Sequence, residues 1–244
     1  MTMISTTIEQ MGCRRLRGLR RAWLLPVGLA LLSACTAKDA RQASEPVVAS
    51  ESVETSGVTT IVYECEPAFE FVAQLKDGQA ELFLPDRTLT LQRAPASTLA
   101  IYGGEGGTAF SIFGESARLE VAPDRSYSCA SDPGRAVWEA ARLRGVDFRA
   151  TGNEPGWLLE ITEGETILFV TDYGERRYEF RTPEPRVHQK VAMTVFQAGN
   201  DAHALSVTLR GEGCQDTMSG AMFDTRVSVR LDEDDYTGCG KTLR

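Results

Sequence analysis

Between residues 58 and 130 apolar side chains recur at every second position over short runs, as in Phe69/Phe71/Ala73/Leu75, Ala80/Leu82/Leu84 and Leu89/Leu91. A period of two turns one face of a strand toward a core and the other toward water. A helix would need its apolar neighbours three and four residues apart. Turn signals separate the runs: Asp77-Gly78 is a hairpin dipeptide, and Pro85-Asp86 ends the next strand. Further strands are expected at residues 100–102, 109–113, 117–121 and 125–129. That makes about eight short strands in about seventy residues, the pattern of a small antiparallel barrel or sandwich.

Asp132-Pro133-Gly134 then opens a helix expected over residues 135–144, with Asp132 as cap, Pro133 in the first turn and Gly145 as stop. Strands resume at 148, 157–161, 166–171, 177–180, 191–197, 204–209, 226–231 and 236–240, and Gly152, Pro155 and Gly156 are expected to shape a turn that buries Trp157. The expected fold class is mainly β: two small antiparallel β-barrel or sandwich domains, 58–130 and 146–244, joined by a short helix within 131–145.

The front of the chain has different physics. Arg14, Arg15, Arg17, Arg20 and Arg21 precede an apolar run over 22–32, 11 residues long. A bilayer-spanning helix needs roughly 20. The run ends in Leu32-Ser33-Ala34-Cys35, which resembles the lipobox of bacterial lipoproteins. The resemblance implies a signal peptide over 1–34, a diacylglyceryl and acyl (palmitate-type) anchor on Cys35, and a membrane partner held through that lipid. Thr36 in place of Asp points, by analogy with enteric sorting, to the outer membrane facing the periplasm. An ordinary signal peptide cut near Ala34 or Ala37 is the alternative. Residues 35–57 mix small and charged side chains with no aromatic, the composition of a flexible tether.

After Cys13 leaves with the signal and Cys35 takes the lipid, Cys65, Cys129, Cys214 and Cys239 remain. An even number in an exported chain implies disulfides. Three pairings are open, and one pair per β segment favours Cys65–Cys129 and Cys214–Cys239. A zinc site would need CxxC-type spacing, and the sequence offers none, with only His188 and His203 as histidines. Beyond residue 34 the chain carries 21 basic and 33 acidic residues. Such a balance disfavours nucleic acid and favours basic partners or cations, although it serves solubility equally well.

No catalytic constellation emerges. Ser116 lacks the second glycine of a nucleophile elbow. Asp232-Glu233-Asp234-Asp235 lacks the alternating ligands of a calcium loop and reads as a solvated hairpin tip. The glycines of 103–107 do not join a strand to a helix and read as a mobile loop. His188 and His203 read as solvated turn residues. Cys214 with Met218 and a histidine would suit copper, but a disulfide beside a core methionine is the simpler account. The expectation is a chain that is not an enzyme and takes no cofactor or metal.

Tyr63-Glu64-Cys65, the stretch 96–102, the stretch 110–117 and Tyr127-Ser128-Cys129 together resemble the MliC family, membrane-bound lipoprotein inhibitors of C-type lysozyme. The resemblance implies a small barrel with its two cysteines joined, and lysozyme-contact loops at Thr98, Leu99, Tyr102, Glu105 and Phe113. Two positions depart from the family: Leu99 stands at the glycine place and Phe113 at the lysine place. Losing a desolvated charged contact costs roughly 2–5 kcal/mol. An exposed apolar patch at Leu99 and Phe113 would instead favour a structural or ligand-binding envelope module with a changed target. Phe148-Arg149-Ala150-Thr151-Gly152-Asn153-Glu154-Pro155-Gly156-Trp157, with Gly238-Cys239-Gly240, resembles an uncharacterised domain of bacterial envelope lipoproteins.

Overall fold

The computed structural model describes residues 53–55, 57–95, 99–122 and 125–244. Cys35 and Thr98 lie outside the described residues. The first part contains β1 (Val53–Thr55), β2 (Val58–Glu66), β3 (Phe69–Lys76), β4 (Gln79–Phe83), β5 (Thr88–Arg93), β6 (Ala100–Gly103), β7 (Ala109–Phe113), β8 (Ser116–Ala122) and β9 (Arg125–Ser131). Each strand pairs antiparallel with the next, and β9 returns to β2, so β2 through β9 close a barrel. Cys65 and Cys129 face each other in that closing pair and are disulfide-bonded.

The alternation read from the sequence is what closes the barrel. Tyr63, Phe71, Ala73, Ala80, Leu82, Leu91, Phe110 and Leu119 fill the interior, where Phe110 meets Tyr63 and Phe71 edge-on. The Asp77-Gly78 turn takes two left-handed residues, φ 49° and 78°, the hairpin geometry whose twist matches paired strands. The Tyr63 hydroxyl is buried and has no hydrogen-bond partner among the described residues. Burial, with Tyr102 beside it, pushes its pKa up.

Helix α1 (Pro133–Leu143) follows. Asp132 Oδ1 accepts a hydrogen bond from the Arg135 backbone N–H at 3.0 Å, Pro133 occupies the first turn, and Gly145 lies beyond the C-terminus at φ 88°. The helix starts two residues earlier than expected, because Pro133 and Gly134 already follow a satisfied cap. It packs against β2, whose outward Thr60 and Val62 are buried. Its other side holds Trp138 and Ala141 against Val146, Leu243 and Phe223.

The second part contains β10 (Phe148–Asn153), β11 (Gly156–Ile161), β12 (Thr166–Thr171), β13 (Arg176–Arg181), β14 (Arg186–His188), β15 (Met193–Gly199), β16 (Ala204–Arg210), β17 (Cys214–Gln215), β18 (Met222–Phe223), β19 (Thr225–Leu231) and β20 (Asp234–Thr242). Nine of them form one antiparallel sheet in the order β13-β12-β11-β10-β20-β19-β16-β15-β14. The sheet curls into a half-barrel that brings β13 toward β15, and Tyr178 meets the His203 ring edge-on at 5.0 Å. Phe148, Trp157, Leu159, Phe169, Val207 and Val229 line the inside. β17 and β18 form a separate hairpin that Cys214–Cys239 ties to β20.

On the outer face of β10 and β11, Glu160 is buried between two guanidinium groups. Arg144, at the end of α1, donates to both its oxygens at 2.8 and 2.9 Å, and Arg149 donates from β10. Arg149 also lies over the Trp138 ring, 5.6 Å from its centroid. Desolvation lowers the Arg149 pKa, and the Glu160 carboxylate opposes that shift. The two guanidinium groups meet the hydrogen-bonding needs of the buried carboxylate, and the indole lies against one of them.

Candidate functional site

Of the described residues singled out by resemblance, Leu99 and Phe113 come together, and Tyr102 and Glu105 do not join them. Leu99 precedes β6 and Phe113 ends β7, each one position beyond the paired residues Ala100 and Ile112, so they sit beside each other at one end of the barrel. They are 48% and 49% exposed, which is high for large apolar side chains. Glu105 is exposed in the turn beyond the opposite end of β6. Tyr102 is only 4% exposed, because its place in β6 points it into the core against Phe110. A contact role for the Tyr102 side chain therefore does not fit this barrel.

Beside Phe113 runs a groove of about 600 Å³ lined by Glu64, Glu66, Ser116, Arg118 and the Cys65–Cys129 disulfide. Arg118 is engaged with Glu120 at 3.1 Å and with Ser126 at 2.9 Å. Glu64 accepts from Arg135 at 3.2 Å. Glu66 has no such cationic partner among the described residues, so the groove has an aromatic ring at its β7 end and an uncompensated carboxylate on β2, with β8 and β9 between them. Glu64 and Glu66 were not singled out in the sequence. The signal was their alternation with Cys65, which turns both carboxylates outward when the cysteine turns in.

Other sequence candidates take different places. His203 is partly buried: its Nδ1 lies 2.8 Å from Asp232 Oδ2 and its ring packs on Tyr178, so it is a tie between hairpin tips rather than a solvated turn residue. Asp232 also accepts from the Ala204 backbone N–H at 2.9 Å, and that bond, with His203 beside it, holds its carboxyl below the usual range. Asp235 is paired with Arg230 at 2.6 Å. The acidic run does form a hairpin tip, but two of its carboxylates are engaged. His188 is exposed at the end of β14. The 103–107 stretch is a hydrogen-bonded turn in which the Gly104 N–H donates to Thr108 O at 2.9 Å, and Gly104 abuts Leu91 so closely that a Cβ would collide. Ser116 opens β8 with no histidine at hand. Among the described residues, no group of three or more His, Cys, Asp or Glu side chains is placed to hold a metal ion, and no helix is long and apolar enough to cross a membrane.

Met218 corrects an expectation. It is 80% exposed rather than in a core, because the 214–223 hairpin lies on the outer wall of the half-barrel and Met218 occupies its tip. Asp216 shapes that tip. Its Oδ1 accepts from the Met218 N–H at 3.1 Å, and from the Ser219 N–H and hydroxyl at 2.7 Å each, while Asn153 Nδ2 donates to its Oδ2 at 2.8 Å. Burial pushes the Asp216 carboxyl up, but the bonds from Ser219, Asn153 and Met218 outweigh it and leave the pKa lowered.

Across from Met218 stands Tyr173, 85% exposed in the β12–β13 turn. Asp172, Tyr173 and Gly174 hold consecutive left-handed conformations, φ 52°, 56° and 101°. For a non-glycine residue that conformation costs about 1–2 kcal/mol. Tyr173 and Met218 flank a cleft of about 340 Å³ floored by Leu158 and Val170. Two strand residues with apolar outward side chains, Leu158 and Val170, were the sequence sign of something on that outer wall.

No protein-family model matches this chain, and no curated protein or solved structure matches it.

Proposed function

We propose that this chain is a non-enzymatic, lipid-anchored binding protein of the bacterial envelope, whose first barrel takes a basic protein partner of the C-type lysozyme kind. The observation that carries the reading is the half-exposed Leu99 and Phe113 pair beside the groove that Glu66 borders. A groove with an aromatic anchor at one end and a carboxylate at the other suits a partner that presents an apolar residue together with cations. The acidic balance of the chain beyond residue 34 would steer such a partner in. The MliC-like motifs and the Cys35 lipobox support the same assignment from the sequence.

The test is a binding and activity assay with purified protein and a C-type lysozyme. Saturable, salt-weakened binding is expected, with Phe113→Ala reducing affinity about tenfold or more. Phe113→Lys, which restores the family's ammonium, should increase inhibition of the enzyme. Absence of binding at micromolar protein removes lysozyme as the partner. A second reading rests on Phe113 itself, since an apolar ring at the lysine place suits a changed target. Cross-linking from position 113 to a different envelope protein, with no lysozyme binding, would decide for it. Loss of acyl labelling and release from membranes in Cys35→Ala would test the anchor.

A further inference from the structure

The Tyr173 cleft belongs to neither the barrel groove nor the lipid anchor. A Cβ built on Gly156 would meet the Tyr173 ring carbons at 2.7 and 2.8 Å, so one side of the ring rests on bare backbone while the rest faces water. Gly152 and Asn153 also border a second cleft of about 300 Å³, where Glu154, Gln215, Thr217 and Arg226 present polar groups. Asn153 Nδ2 is engaged with Asp216 at 2.8 Å and Thr217 at 3.2 Å, which leaves its Oδ1 as an acceptor between the two clefts.

We propose that these two adjacent clefts bind a saccharide, specifically a strand of N-acetylated amino sugars. A pyranose ring has one face of C–H groups that stacks on an aromatic ring, while its hydroxyls need fixed planar acceptors and donors. Tyr173 supplies the platform. Asn153, Glu154, Gln215 and Thr217 supply the polar partners, and the Leu158, Val170 and Met218 walls accept an acetamido methyl. Both clefts fall at the small end of ordinary ligand sites. An extended peptide is the weaker candidate, because β10, β11 and β12 each have both edges paired and offer no backbone for strand addition. The Asp216 hydrogen bonds and the Cys214–Cys239 disulfide hold one wall in place before any ligand arrives, which lowers the ordering cost of binding.

The experiment titrates the full chain with tetra-N-acetylchitotetraose, following the heat of binding. Maltotetraose and an apolar tetrapeptide form the other arms. Saturation by the N-acetylated glycan at about 1 mM or below is expected, with neither other arm saturating. Tyr173→Asn should weaken that binding about tenfold or more, while leaving the melting temperature unchanged or higher, since asparagine tolerates the left-handed turn better than tyrosine. Tyr173→Trp should retain binding, and Phe113→Ala should leave it intact, which keeps this site distinguishable from the barrel groove. No saturation at several millimolar, binding that survives Tyr173→Asn, loss in Phe113→Ala, or saturation by the peptide or maltotetraose would overturn the proposal.

Discussion

Trp157 shows at the scale of single residues what a motif can conceal. It lies opposite Gly152 in the β10–β11 register, and a Cβ on either Gly152 or Gly238 would run into its indole. The indole N–H donates to Thr237 O at 3.3 Å through the space so left. The sequence suggested a turn around Gly152 and Gly156, and the turn is there. Yet Gly152 keeps ordinary extended backbone and is glycine for room, which no conformational argument from sequence could reveal. Gly152→Ala should therefore destabilise the protein by about 1–3 kcal/mol as an overpacked site, read as a lower denaturant midpoint with red-shifted tryptophan emission in the native baseline. An unchanged midpoint would mean the indole can move aside freely. Met218 errs in the opposite direction: an apolar residue near a cysteine suggested a core, but hydropathy cannot say whether a short hairpin folds inward or lies on an outer wall.

At the scale of elements, legibility followed the number of buried faces. Strands with one buried face, such as β4 with Ala80 and Leu82 or β19 with Val227, Val229 and Leu231, announced themselves by period two. β14 did not, because Arg186, Val187 and His188 are all exposed on a sheet edge and no alternation is imposed. β17 and β18 are two residues each, held by a disulfide and a turn, too short for any period. Helix α1 was legible through its ends. Its cap is testable: Asp132→Ala leaves the Arg135 N–H without its acceptor and should cost about 1 kcal/mol, seen as a lower melting temperature, with Asp132→Ser recovering most of the loss. The groove beside Phe113 was legible only in part, since closure of β2 on β9 brings Glu64 and Glu66 alongside Ala130 and Ser128, and sequence-distant strands meet there.

For the whole molecule, the question is what binds α1 to the barrel, since the helix also carries the half-barrel through Trp138 and Arg144. Glu64 and Glu70 face each other across β2 and β3, where like charges repel. Arg135 bridges them from the helix, at 3.2 Å to Glu64 and 2.9 Å to Glu70. The hydrogen bond and charge of Arg135 hold the Glu70 carboxyl below the usual carboxylate range. A depressed folded-state pKa means that the contribution is fully present above the unfolded value, about 4.3, and is lost as pH falls through the folded value. Arg135→Gln removes the bridge and leaves two facing carboxylates, whose repulsion instead eases as they protonate. At pH 7 the variant should melt roughly 1–4 °C below the parent, a modest gap because the three side chains are about half exposed. Between pH 5 and pH 3 the two melting curves should converge, and added salt should narrow the gap at pH 7. A gap of equal size at pH 3 and pH 7 would show that Arg135 acts through its aliphatic stem against β2, and that the helix is held to the barrel by packing alone.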